Sequence, residues 1–216
     1  MLVVLAACSS DSYGEASGAG DAGTPIDGAG IDSGADAGTE AGTDAADTDG
    51  GGCHGALACE RFVFVTSTTT TGAMGGIEAA DKRCQDLADA SAKVKGRQFR
   101  AWLSTADTPA RARVAQGSKP YRRPDGTRIA QDFDGIVSGS LLAPINVDEN
   151  GIVVATSAVW TGTAADGNQS NKDCYGWTRT DGEGLQGSAA EKDTGWSNKV
   201  AAPTCNPLAR VYCFEN

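Results

Sequence analysis

Few side chains in this sequence are placed to do chemistry. The only histidine is His54. It stands between Cys53 and Cys59, ahead of the stretch whose patterning predicts a fold. A serine or cysteine nucleophile in that stretch therefore has no imidazole beside it to act as base. Asp132 and Asp134 could work as a general acid and base, but such pairs are more often solvated turn residues. No catalytic residue is assigned, and the expectation is a protein that is not an enzyme. Cys53, His54 and Cys59 could begin a zinc site, which would need a further ligand from elsewhere. A short Cys53–Cys59 disulfide loop accounts for the same residues. Asp166, Asn168, Asn171 and Asp173 carry oxygens that calcium could use, and loop formation is their plainer role. No metal site and no cofactor are assigned, with calcium left open.

Two patterns point to binding instead. Residues 93–128 contain Lys93, Lys95, Arg97, Arg100, Arg111, Arg113, Lys119, Arg122, Arg123 and Arg128 against only Asp107 and Asp125. Guanidinium groups grouped in this way can hold sulfate, phosphate or carboxylate, or they are solvated helix and hairpin faces. The second pattern is aromatic. Trp102 and Trp160 fall in strand patterns and Trp177 follows a cysteine, so all three read as core. Trp196, in Asp193-Thr194-Gly195-Trp196-Ser197-Asn198, is the candidate exposed platform on which a sugar ring could stack, with packing as its competing role.

The elements that must position these groups come from residue 61 onward. Residues 61–67, Arg-Phe-Val-Phe-Val-Thr-Ser, alternate and are β-branched, which predicts a strand. After a threonine-rich turn, a helix is expected over 76–92, with Ile77, Ala80, Cys84, Leu87, Ala88 and Ser91 on one face. Glu78–Lys82 and Asp89–Lys93 are i,i+4 pairs away from that face. Asp81, at its edge, reads as a structural hydrogen-bonding residue. A second strand is expected at 99–104. Thr108 and Pro109 then open a short helix as N-cap and first residue. Residues 120–123 and 128–130 flank a Pro-Asp-Gly-Thr turn and suggest a hairpin. Residues 132–137 fit one helical turn. A turn at 148–151 precedes Ile152-Val153-Val154. Residues 158–162 read as a core strand, 162–204 as long loops, and 208–214 as the closing strand.

Ahead of this domain lies a different kind of sequence. Residues 9–52 hold ten of the 28 acidic residues and no Lys or Arg, whereas residues 60–216 carry 18 acids and 18 bases. The formal charge of −10 thus belongs to the N-terminal tract, and no overall basic excess supports nucleic-acid binding. Forty of those 44 residues are Gly, Ala, Asp, Glu, Ser or Thr. Such a composition cannot bury enough apolar surface to offset the entropy of ordering, so a disordered spacer is expected. Seven cysteines suggest an oxidising compartment. Leu5-Ala6-Ala7-Cys8 resembles a bacterial lipobox, with Cys8 lipidated. The apolar run before it is short and has no basic residues, which suggests a start codon placed too late. Within 84–213, spacing alone leaves three connectivities for four cysteines.

Several blocks carry a family resemblance. Gly75-Gly76-Ile77, Ala80-Asp81, Cys84 and Phe99-Arg100-Ala101-Trp102-Leu103-Ser104 resemble the helix-and-strand unit of endostatin domains. Val159-Trp160-Thr161-Gly162, Cys174-Tyr175-Gly176-Trp177 and Val211-Tyr212-Cys213-Phe214-Glu215-Asn216 match later blocks in order. The whole of 61–216, with Pro144-Ile145-Asn146-Val147-Asp148-Glu149, more closely resembles a family of bacterial lipoprotein domains of unknown function. The resemblance implies an α+β, C-type-lectin-like fold with nested Cys84–Cys213 and Cys174–Cys205 bridges. Through it, Arg111, Arg113, Arg122, Arg123 and Arg128 become candidate ligands for an anionic polysaccharide or a lipopolysaccharide surface. The Pro-centred triplets of calcium-dependent lectins are absent, and Trp196-Ser197-Asn198 departs from their Trp-Asn-Asp. Endostatin's zinc histidines are absent too.

The expected organisation is a signal remnant at 1–8, a tether at 9–52, a small cysteine loop at 53–60 and one domain at 61–216. The expected function is non-catalytic binding of a glycan or an extracellular-matrix-like or other protein ligand. The setting is the cell envelope, with the chain anchored through Cys8, in the outer membrane, and the domain in the periplasm or at the surface. A structural envelope lipoprotein without a ligand and a calcium-dependent lectin are the alternatives.

Overall fold

A computed structural model describes residues 59–216. The segments expected at 1–8 and 9–52, and Cys8, Cys53 and His54, lie outside the described residues. Cys59 is disulfide-bonded; its expected partner, Cys53, lies among them.

The domain is a mixed α+β fold built on β8 (Arg210–Glu215). One edge of β8 pairs antiparallel with β1 (Arg61–Val65), with Phe64 opposite Cys213. Its other edge is shared. β2 (Phe99–Ala101) pairs antiparallel along Cys213 to Glu215, and β5 (Ala158–Trp160) pairs parallel along Arg210 and Val211. The sheet continues outward from β1 to β3 (Tyr121–Arg122) and β4 (Arg128–Ala130). On the far side, β5 leads to β6 (Gly184–Ser188) and β7 (Val200–Ala202).

Strand alternation divides the apolar residues between two cores. Phe62 and Phe64 of β1, Val211 and Cys213 of β8, and Trp160 of β5 face helix α1 (Ile77–Ala90). Val63, Val65, Tyr212, Phe214 and Val159 face the other way, onto Trp102, Ile129, Ile136, Ile145 and Trp196. α1 turns Ala80, Cys84 and Ala88 inward, which fits the 3.6-residue spacing. Cys84 bonds to Cys213, so the helix is stapled to the central strand. The second bridge joins Cys174 to Cys205. The pairing is the nested one implied by the resemblance.

Several local details differ from the sequence reading. Lys82 pairs with Asp86 at 2.6 Å instead of with Glu78. The short helix after Pro109 is a single 3₁₀ turn, Ala110–Ala112, and the Ser104 hydroxyl, not Thr108, accepts from its Ala110 N–H. Residues 152–154 contribute only a Val147–Val153 bridge, leaving Ile152 and Val153 exposed. The stretch at 162–204 is more structured than its composition suggested, because it supplies both β6 and β7. The helical turn expected at 132–137 is α2 (Phe133–Val137), capped by the Asp132 carboxylate, which accepts from Gly135 N–H at 2.8 Å.

Candidate functional site

The arginines expected to form an anion-binding face are mostly engaged within the domain. Arg113 is the clearest correction. Only 8% of its side chain is exposed. It grips Asp81 through two bonds of 2.7 Å and donates to the carbonyls of Ala101 and Leu103. Asp81 also accepts from Ala101 N–H. This pair joins α1, β2 and the 3₁₀ turn, so Arg113 is an internal strut. Arg123 is likewise drawn inward, to Asp125, Thr127, Asn146 and the Pro144 carbonyl. Arg122 and Arg128 share Glu60, at 2.6 and 2.5 Å. Arg128 alone of these three is substantially open, at 46%. Arg111 reaches the Asp166 carbonyl at 3.4 Å. The local excess of basic residues is real in sequence, but folding brings Glu60 and Asp81 against it and pairs Arg123 with the neighbouring Asp125.

Trp196 is a second correction. It is fully buried. Asp193 accepts from Gly195 N–H and closes a tight turn there. The indole is packed among Trp102, Tyr212 and Phe214, with ring centroids 5.3, 5.4 and 6.2 Å away. It offers no platform to a ligand. Its burial follows from β8, whose Tyr212 and Phe214 need cover on that face, and the 3₁₀ turn at Thr194–Trp196 delivers the indole to them.

Among the described residues the exposed aromatic is Tyr175, which was not among the site residues expected from the sequence. It is 62% exposed. It lines an open cleft of about 370 Å³ with Asn171, Asp173 and Glu183. The backbone here is unusual. Asn171, Cys174, Tyr175 and Trp177 all have φ between 54° and 65°. Left-handed conformations of this kind in non-glycine residues are retained where the surroundings over-determine them, and they gather at functional sites. The restraints are on both sides of the tyrosine. Cys174 is bridged to Cys205, and its N–H donates to the Glu183 carbonyl at 3.0 Å. The Trp177 carbonyl accepts from the N–H groups of Met74, Gly75 and Gly76. Its indole N–H donates to the Ser104 carbonyl at 2.8 Å. The glycine-rich turn before α1 thus holds the loop that presents Tyr175. Gly72 lies so close to the bridge that a Cβ there would stand 2.3 Å from Cys174 Sγ.

Charged groups surround the ring. The Arg179 guanidinium stands 4.7 Å from the ring centroid of Tyr175 and is fixed by two bonds to Asp181, at 2.8 and 2.6 Å. The bond from Arg179 holds the Asp181 carboxyl below its ordinary range. Lys172 pairs with Glu183. Asp173 accepts from Ala106 N–H at 2.9 Å and has no basic partner among the described residues. Gly182 leaves room for one edge of the ring, since a Cβ there would stand 2.7 Å from Tyr175 Cδ2.

The remaining candidates do not converge. The Asp166 carboxylate accepts from both the backbone and the side-chain amide of Asn168, bonds that lower its pKa. Asn171 and Asp173 belong to the Tyr175 cleft. Among the described residues, no group of three or more His, Cys, Asp or Glu is placed to hold a metal ion.

These features define a disulfide-bridged α+β domain that presents a polar cleft with one exposed aromatic ring. The chain belongs to the DUF1554 family, described as proteins of unknown function, whose family model matches residues 67–194. That span includes α1, β2 to β6 and the whole Tyr175 cleft. No curated protein matches the chain.

Proposed function

We propose that this is a lipid-anchored cell-envelope protein whose domain binds carbohydrate without catalysis. The observation that carries the reading is the Tyr175 cleft. A ring held open to solvent on a covalently fixed loop, beside amide and carboxylate oxygens, suits a sugar that offers an apolar face and hydroxyl groups. The pre-ordered backbone lowers the entropy lost on binding. The non-catalytic part is supported by the capping role of Asp132 and by a single histidine that precedes the domain. A C-type-lectin-like, endostatin-like fold fits the pairing of β1 with the last strand and the nested disulfides. Anchoring at Cys8 is supported by the lipobox-like Leu5-Ala6-Ala7-Cys8; the outer membrane is the proposed location.

Binding of the full chain to a glycan array, with and without EDTA, tests the central reading. Tyr175→Ala is expected to lower binding at least tenfold, the scale of a stacked ring, with the fold intact by near-ultraviolet circular dichroism. An array on which the wild-type chain binds nothing overturns the proposal. Loss of signal in EDTA transfers it to a calcium-dependent lectin. The anchor is tested separately: incorporation of a labelled fatty acid should vanish in Cys8→Ala.

A further inference from the structure

The charge of the Tyr175 cleft narrows its ligand. Lys172 is neutralised by Glu183 and Arg179 by Asp181. Asp173 remains, so the wall beside the ring carries one uncompensated negative charge. The isolated bridge between Asp173 and Gly184 brings Glu183, the residue before Gly184, to the same wall. The ring itself already holds a cation, because the Arg179 guanidinium lies over it at 4.7 Å. That is the distance and geometry at which an aromatic face attracts positive charge. Tyr175 keeps most of its surface open with the guanidinium in place.

We propose that the Tyr175 cleft selects a saccharide bearing a protonated amine, such as a glucosamine unit, with the ammonium seated between the Tyr175 ring and the Asp173 carboxylate. This inference rests on the carbohydrate reading above and adds the charge of the sugar. An ammonium can donate to Asp173 and Glu183 while contacting the ring. An N-acetyl group at the same position removes the charge and all but one of the nitrogen's N–H donors. A sulfated sugar places a negative group against Asp173, so the arrangement disfavours it.

The test compares three probes on the full chain at a pH where the amine is protonated: a β-1,4-linked glucosamine oligomer, its fully N-acetylated counterpart and a sulfated oligosaccharide of equal length. The expected result is roughly tenfold tighter binding of the amine form than of the acetylated form, the scale of a cation over an aromatic face. No retention of the sulfated form is expected at this cleft. Asp173→Asn keeps an oxygen for the Ala106 N–H and removes the charge, so it should abolish the preference while the chain stays folded. Tyr175→Leu should do the same. Equal affinity for the amine and acetylated forms overturns the inference and leaves the carbohydrate reading standing. A preference that survives in both variants also overturns it, by placing the amine elsewhere. Binding to a lysine-rich peptide with none to the amino sugar overturns it in favour of a protein partner. Failure of every carbohydrate to bind overturns both readings.

Discussion

Arg113 and Trp196 show how residue type and residue role separate on folding. Both carry groups that often face ligands, and both are interior here. Their neighbours in sequence gave no sign of this. Arg113 is buried by Asp81, 32 positions away, and Trp196 by strand β8 and Trp102. Local spacing cannot report such contacts. Tyr175 was hidden for the opposite reason. It stands between a bridged cysteine and a glycine in a polar loop, with no strand or helix period to bury it. That lack of periodicity was the available signal. The Arg113–Asp81 pair yields a prediction at this scale. Removing one member of a largely buried pair leaves the other charge without a partner. Arg113→Ala is expected to lower stability by about 3 kcal/mol in urea denaturation. Arg113→Met combined with Asp81→Leu should recover much of that loss. If Arg113→Ala is as stable as wild type, the strut assignment fails.

At the scale of elements, α1, β1 and β8 were legible because their periods are regular and their apolar faces unbroken. The boundaries lay within a few residues of 76–92, 61–67 and 208–214. β6 was not legible. Its sequence, Gly-Leu-Gln-Gly-Ser, has neither alternation nor β-branching, and all five residues are buried. It is a strand because β5 and β7 pair with it on both sides. The β3–β4 hairpin carries a pH-dependent contribution. Burial pushes the Asp125 carboxyl up, but bonds from Thr127 and Arg123 outweigh it and hold the pKa below its ordinary 3.8. A carboxylate with a folded pKa below its unfolded value stabilises the native state at pH above that unfolded value. The contribution is lost as pH falls through the folded one. Asp125→Asn should therefore lower the urea midpoint near neutral pH and flatten its decline on acidification below 3.8. An acid limb unchanged by the substitution would remove the hairpin from the account of acid sensitivity.

For the molecule as a whole, the two bridges have different tasks. Cys84–Cys213 spans 129 residues and Cys174–Cys205 spans 31. Chain-entropy scaling gives about 5 kcal/mol for the longer loop and about 4 kcal/mol for the shorter one. Replacing both cysteines of each bridge by serine should therefore lower the melting temperature more for the longer loop. Carbohydrate binding at the proposed site should show the reverse order, because of the two bridges only Cys174–Cys205 fixes the backbone next to Tyr175. Equal binding by the two variants, compared while folded, would contradict the positioning role of the shorter bridge. The nested connectivity was open from spacing alone, and a family resemblance was needed to choose it. The cleft's location needed the structure, since it depends on Asp173, Tyr175 and Glu183 meeting around a loop.

β8 pairs with β1, β2 and β5 and receives the bridge from α1, yet all four precede it in the chain. During synthesis the ribosome therefore hands out every partner before the strand that joins them. Until β8 arrives, β1 and β5 have a vacant edge where it belongs, and Cys84 lacks its native partner. Contacts of such long sequence separation close slowly, and unpaired edges attract other chains in the interval. Oxidation of Cys84 to Cys213 can come only after synthesis of this strand, so the arrival of β8 sets the time at which its partners become one object.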